Sequence, residues 1–237
     1  MAGAARVAPP DVARHVAAAP RGRAAAMMRP LAILGGTFDP IHNGHLRVAW
    51  EASEFLDAEV RLLPANVPPH RDPPVADAAR RAALVRAALG GQDRLVPDLR
   101  ELQREGPSYT VDTLLELRAE MGAERPLVLL VGADAFAGLP GWHRWRELFD
   151  LAHIGVLTRP GHDRPLPTEL RTKIASRRCN DVRGVSEAAA GRVLPIPVTP
   201  LEISSTQVRA LLAAGRVPRF LVPAALLDDV ALLAPYR

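Results

Sequence analysis

Residues 31–56 constrain the fold of this 237-residue chain more than any other stretch. An unbroken apolar run, Leu31–Leu34, ends in Gly35 and Gly36, and a segment with helical apolar spacing follows from Gly44 to Leu56. A short apolar run closed by glycine reads as a buried strand, and the change of period from two to 3.6 marks a strand passing into a helix. The same alternation recurs along the chain. Candidate strands lie at Glu59–Pro64, Arg94–Pro97, Leu127–Val131, Ala152–Leu157 and Arg192–Ile196. Candidate helices lie at Ala76–Leu89, Thr110–Met121, Trp142–Phe149, Ser205–Ala214 and Pro223–Leu233.

Strands alternating with helices predict an α/β chain: a Rossmann-like, doubly wound parallel sheet with a small C-terminal helical part. Ligands of such sheets bind beyond the carboxyl ends of the strands. There the sequence reads GGTFDPIHNGHL, Gly35 to Leu46. Gly35 and Gly36 let backbone approach a ligand closely. The helix that follows offers free N–H groups to an anion. His42 and His45 flank Gly44, and imidazole donors can bind phosphate oxygens as charge develops on them. Asp39, before Pro40, reads as a turn residue rather than a metal ligand. A second hydroxyl-rich helix start, ISSTQVR, runs from Ile203 to Arg209. Its Ser205, Thr206 and Arg209 suit the same kind of anion.

These two segments resemble the T/HxGH and ISSTxxR signatures of the nucleotidyltransferase superfamily, in the form typical of nicotinate-nucleotide adenylyltransferases. PANVPPHR (64–71), PSYTVDTL (107–114), LVGADAF (130–136) and GWHRW (141–145) extend the likeness to nearly everything from residue 30 onward. The resemblance implies transfer of the adenylyl group of ATP to nicotinate mononucleotide, giving nicotinate adenine dinucleotide and pyrophosphate in NAD biosynthesis. It implies catalytic roles for His42, His45 and Arg209. Gly35, Gly36, Thr37, Phe38, Asp134, Ser205 and Thr206 would complete the ATP site. Asn66, His70, Arg71, Thr110 and Trp142 would bind the acceptor, with Trp142 stacking on the pyridine ring and Trp145 packing in the core. Magnesium would accompany ATP, with no protein metal site. The acceptor phosphate is largely dianionic at neutral pH, its second pKa being about 6, so neither a protein nucleophile nor a strong base is required.

Composition narrows the alternatives. The first 30 residues hold five arginines and one acid and so account for the whole net charge of +4. A uniformly basic surface for nucleic acid is therefore not expected. The single cysteine, Cys179, gives no disulfide framework or metal cluster. No apolar run spans a bilayer, and a cytoplasmic protein is expected, with a homo-oligomer left open. Residues 1–29 are expected to be a disordered extension and 30–237 a single nucleotidyltransferase domain. Residues 160–191 read as a variable polar excursion. The alternatives are nicotinamide mononucleotide or pantetheine phosphate as acceptor, or a non-catalytic nucleotide-binding protein. Absence of G-x-G-x-x-G argues against a redox Rossmann protein, and a single lysine argues against an aminoacyl-tRNA synthetase.

Overall fold

The computed structural model describes residues 28–67, 73–158, 165–199, 201–229 and 231–237. Its centre is a parallel sheet of six strands: β1 (Leu31–Gly36), β2 (Glu59–Pro64), β3 (Leu95–Pro97), β4 (Leu127–Gly132), β5 (His153–Thr158) and β6 (Val193–Pro197). Their order is β3-β2-β1-β4-β5-β6, so the chain winds outward from β1 in both directions. The order reverses between β1 and β4, and the crevice above that point is where open α/β sheets bind ligands. All six expected strands are present, with ends displaced by two residues at most.

Strand periodicity makes the two faces. Ala32 and Leu34 point into one core with Val60, Leu62, Val128 and Leu130. Leu31 and Ile33 point into the other with Leu63, Leu127 and Leu129. The first core is covered by α1 (Asn43–Leu56), α2 (Ala78–Leu89), α8 (Ser205–Ala213) and α9 (Ala224–Asp228). The second lies beneath α3 (Thr110–Met121), α4 (Ala133–Ala137), α5 (Leu148–Leu151) and α6 (Thr168–Ile174). The central strands β1, β4 and β5 are buried on both sides, which is why they read as continuous apolar runs. No described helix is long and apolar enough to cross a membrane.

Two expected helices are shorter than the sequence suggests. Over Trp142–Phe149 the chain makes only a 3-10 turn, Trp145–Glu147, and then α5. Arg144 takes a left-handed conformation, φ 51°, which interrupts the helix. The last helix stops at Asp228 because Asp229 turns its side chain back to accept the Ala231 N–H at 3.1 Å. The stretch read as a polar excursion carries α6 and a single turn, α7 (Arg183–Ser186). Its Cys179 is half-buried, and burial pushes the thiol pKa up. The expected N-terminal extension lies outside the described residues except for its end. There Arg29 pairs with Asp57 at 2.6 Å.

Candidate active site

The turn leaving β1 folds back on itself before α1 begins. Phe38 adopts φ 49° and is 1% exposed. Its ring lies where a Cβ on Gly36 would stand, 2.9 Å from that position. The same ring meets His45 edge-on, with centroids 5.0 Å apart. His42 is the extended residue before the helix, and its backbone N–H donates to His45 Nδ1 at 3.3 Å. The two imidazoles stack at 3.7 Å.

His42 is 5% exposed, and no described group partners its Nδ1. Burial lowers its pKa to about 4, so it is neutral at physiological pH. The ring is packed over Gly44. A Cβ there would stand 3.0 Å from His42 Nδ1 and 3.1 Å from Cε1. The glycine of His-x-Gly-His is therefore required by its neighbour's ring. Gly44→Ala should move His42 and lower kcat by at least tenfold, while the melting temperature changes by only a few degrees. Steady-state kinetics beside thermal unfolding measures both, and an unchanged kcat would refute the packing argument.

One expected anion donor is already engaged. The Asn43 N–H bonds to the Leu221 carbonyl at 2.8 Å, and Asn43 Nδ2 bonds to the Phe220 carbonyl at 2.7 Å. The C-terminal segment thus closes over the start of α1.

The second motif approaches from α8. Its cap is Ser204, whose Oγ accepts the Gln207 N–H at 3.1 Å. Ser205 Oγ instead donates to the Pro40 carbonyl at 2.9 Å. Arg209 donates to the Asp39 carbonyl at 2.7 Å and lies 3.4 Å from Thr206 Oγ1. Motifs some 165 residues apart in sequence are thereby laced around one turn. Asp39 is 4% exposed and committed to the scaffold. Its carboxylate accepts from the N–H groups of Val75 (2.7 Å) and Ala76 (3.0 Å) and from the Tyr236 hydroxyl (2.7 Å). That is the structural role read from the Asp-Pro pair.

Beside the histidine turn lies a cleft of about 350 Å³ above the carboxyl ends of β1, β2 and β4. Gly35, Gly36 and Thr37 line it together with Thr110, Trp142, Tyr109 and His143. The Tyr109 and His143 rings meet at 4.4 Å. Trp145 is 5% exposed in the second core, against Phe149. The Tyr109 side chain does not cap α3, and the helix starts at Thr110 in the cleft wall. Asp134 is exposed in the first turn of α4, just past β4.

Asn66 does not line the cleft. Its side chain donates to the Arg104 carbonyl at 2.9 Å, and its N–H donates to Ser108 Oγ at 2.9 Å, which fixes the loop before α3. His70 and Arg71 lie outside the described residues. Among the described residues, no group of three or more His, Cys, Asp or Glu could hold a metal ion.

Two charged residues that the sequence reading passed over are built into this region. Arg81 of α2 is 1% exposed. It donates to the carbonyls of Thr37 (3.1 Å), Asn66 (3.2 Å), Ala76 (3.2 Å) and Ala65. Glu101 is buried in the cleft wall, where Oε1 accepts from the Thr113 hydroxyl at 2.7 Å. No local spacing in the sequence singles out either residue.

A family model described as cytidylyltransferase-like matches residues 33–211. The chain is 52% identical over 211 residues to a protein of Pseudomonas putida strain W619 named probable nicotinate-nucleotide adenylyltransferase. That match covers 89% of this chain and 96% of the relative. A protein of the same name from Pseudomonas aeruginosa strain UCBPP-PA14 is 48% identical, with 89% and 99% covered. Among solved structures, Plasmodium falciparum nicotinic acid mononucleotide adenylyltransferase complexed with NaAD shares the fold. Its TM-score is 0.62 at 15% identity, covering 88% of this chain and 96% of that one.

Proposed function

The chain belongs to the cytidylyltransferase-like family, and within it to the nicotinate-nucleotide adenylyltransferases; from this we propose that it joins the AMP moiety of ATP to nicotinate mononucleotide. The observation that carries the reading is the stacked His42–His45 pair, which follows the turn that Arg209 grips through the Asp39 carbonyl and whose first residues, Gly35, Gly36 and Thr37, line the cleft. In the proposed reaction a phosphate oxygen of the mononucleotide attacks the α-phosphorus of ATP. The bond from that phosphorus to the bridging oxygen breaks, and pyrophosphate leaves with the electron pair. Attack and departure are in line, so the protein's work is positioning and charge stabilisation.

His42, His45 and Arg209 bind the triphosphate where negative charge grows. A buried neutral His42 gains a partner when phosphate arrives, and the phosphate's charge favours the imidazolium. Gly35, Gly36 and Thr37 let the nucleotide approach the end of β1, while Phe38 acts from beneath by supporting His45. Ser205 and Thr206 complete the phosphate site, Ser205 through its hold on the turn. Asp134 takes ribose hydroxyls of the adenosine. The pyridine ring stacks on Trp142, and its carboxylate sits at the uncapped start of α3 beside Thr110. Asn66, His70 and Arg71 position the acceptor phosphate, Asn66 through its loop. Magnesium would enter with ATP and be held mainly by phosphate oxygens and water; the Asp39 carboxylate is engaged by Val75, Ala76 and Tyr236. Residues 30–237 act as one nucleotidyltransferase unit.

The deciding measurement is pyrophosphate release from ATP with nicotinate mononucleotide and, separately, nicotinamide mononucleotide. Release with the first and at least fivefold less kcat/KM with the second is expected. At the start of α3 the ring substituent meets N–H and hydroxyl donors, and a carboxamide NH₂ turned toward them is an unmet group that costs about 1–3 kcal/mol wherever no other cleft group accepts from it. Equal use of both acceptors would sink the nicotinate assignment and leave adenylyl transfer standing.

A further inference from the structure

Glu101 is the only acid among the described residues that line the acceptor cleft, and no arginine or lysine lines it with Glu101. It sits on a 3-10 turn, Arg100–Gln103, and is 7% exposed. Its Oε1 accepts the Thr113 hydroxyl at 2.7 Å. Thr113 stands one turn along α3 from Thr110, at the end of the helix that receives the acceptor's ring in the reading above. A charged carboxylate on that ring would therefore share a cleft of about 350 Å³ with a buried glutamate. Two ionised carboxylates in one low-dielectric pocket repel, and one proton between them removes the repulsion.

We propose that Glu101 sets the choice between carboxylate and carboxamide acceptors: it carries a proton when nicotinate mononucleotide is bound and is ionised when it faces a carboxamide. The proposal rests on the adenylyl-transfer reading. The charged groups around Glu101 leave room for it. Arg104 reaches it only through Thr113 Oγ1, at 3.3 Å, and spends its other nitrogen on Glu116 at 2.6 Å. Asp98, on the side of β3, is bound to Arg100 at 2.8 Å, and its remaining negative charge adds a small upward push on the Glu101 pKa. Tyr109 and His143 are the remaining titratable side chains of the cleft wall. Burial pushes the Glu101 pKa up. It outweighs the opposing hydrogen bond from Thr113, the charge of Arg104 and the Ser108 hydroxyl. A protonated Glu101 can donate to a carboxylate, and an ionised one can accept from a carboxamide NH₂.

The test measures kcat/KM for both mononucleotides from pH 5.5 to 8.5 in the unmodified enzyme and in Glu101→Gln. The ratio of the two acceptors cancels every titration that acts on both alike, including their phosphates and ATP, and the comparison with Glu101→Gln separates Glu101 from His143 in the same cleft wall. The nicotinate-to-nicotinamide ratio should fall about tenfold as pH rises in the unmodified enzyme and stay flat in Glu101→Gln. Should Glu101→Gln fail to fold, calorimetry on the unmodified enzyme decides. Titration with each mononucleotide in buffers of different ionisation enthalpy should show greater proton uptake for nicotinate. Parallel ratio profiles in the two proteins, or equal proton uptake for the two acceptors, would overturn the role of Glu101. Dinucleotide formed from neither acceptor would instead bring down the adenylyl-transfer reading, and this inference with it.

Discussion

Replacement of His45 by alanine is expected to lower kcat by about 10²–10³-fold, with a smaller change in KM for ATP. The expectation comes from how the ring is held. The His42 N–H donates to its Nδ1, which makes that nitrogen an acceptor and places the proton of the neutral ring on Nε2. The His42 ring covers one face at 3.7 Å, and the Phe38 ring closes from the edge at 5.0 Å. A donor fixed on three sides costs little reorganisation at the moment charge moves onto the phosphates. Such preorganisation acts on the transition state more than on bound ATP. His45→Gln, which can still donate, should recover part of the loss. If KM for ATP rose alone and kcat held, His45 would be a ground-state binder and the transition-state assignment would fail.

The central strands β1, β4 and β5 were legible because they are buried on both faces and so appear as apolar runs. Leu31–Leu34 and Leu127–Val131 need only that pattern. The helix expected over Trp142–Phe149 was not decidable in the same way. The apolar spacing of Trp142, Trp145 and Phe149 fits a helix, and only backbone geometry shows Arg144 turning left-handed. At the site, a distinction between donor types is what the letters hide. Ser204, Ser205 and Thr206 look interchangeable in sequence. In the structure the first caps α8, the second grips Pro40, and the third faces Arg209. Asn66 and Phe38 sit in segments that read as ligand contacts, yet their side chains face the scaffold. Arg80 and Arg81 are adjacent on an arginine-rich helix and look like one solvated face. Arg80 is half-buried and bonds at the surface to the Ala231 carbonyl, whereas Arg81 is buried. Its acceptors come from three separate segments, so no local pattern announces it.

Arg81→Met should accordingly be the most destabilising single change in the chain. Methionine keeps the length and apolar stem but removes every donor. Four carbonyls, those of Thr37, Ala65, Asn66 and Ala76, would lose the guanidinium that now serves them. Asp39, 4% exposed, would lose a neighbouring positive charge and be left with Arg209 at 3.9 Å. Unmet buried acceptors cost about 1–3 kcal/mol each but relax together, so the sum is set nearer about 3–5 kcal/mol. Against a total stability of about 5–15 kcal/mol, that is a large fraction. The melting temperature should fall by roughly 10 °C. Thr37 and Ala65 also line the cleft, so the defect should reach function before unfolding does. Well below the melting temperature, KM for the acceptor should rise at least tenfold. Arg81→Lys keeps the charge but cannot present a planar fork to four carbonyls, and it should fall between the two. Arg80→Met is the control and should stay within about 1 kcal/mol of the unmodified protein, since it loses one carbonyl partner at the surface, that of Ala231. A denaturant titration that placed Arg81→Met within the same margin would show that the loops hold their positions without it, and that the guanidinium is not what joins the turn after β1 to the loop after β2.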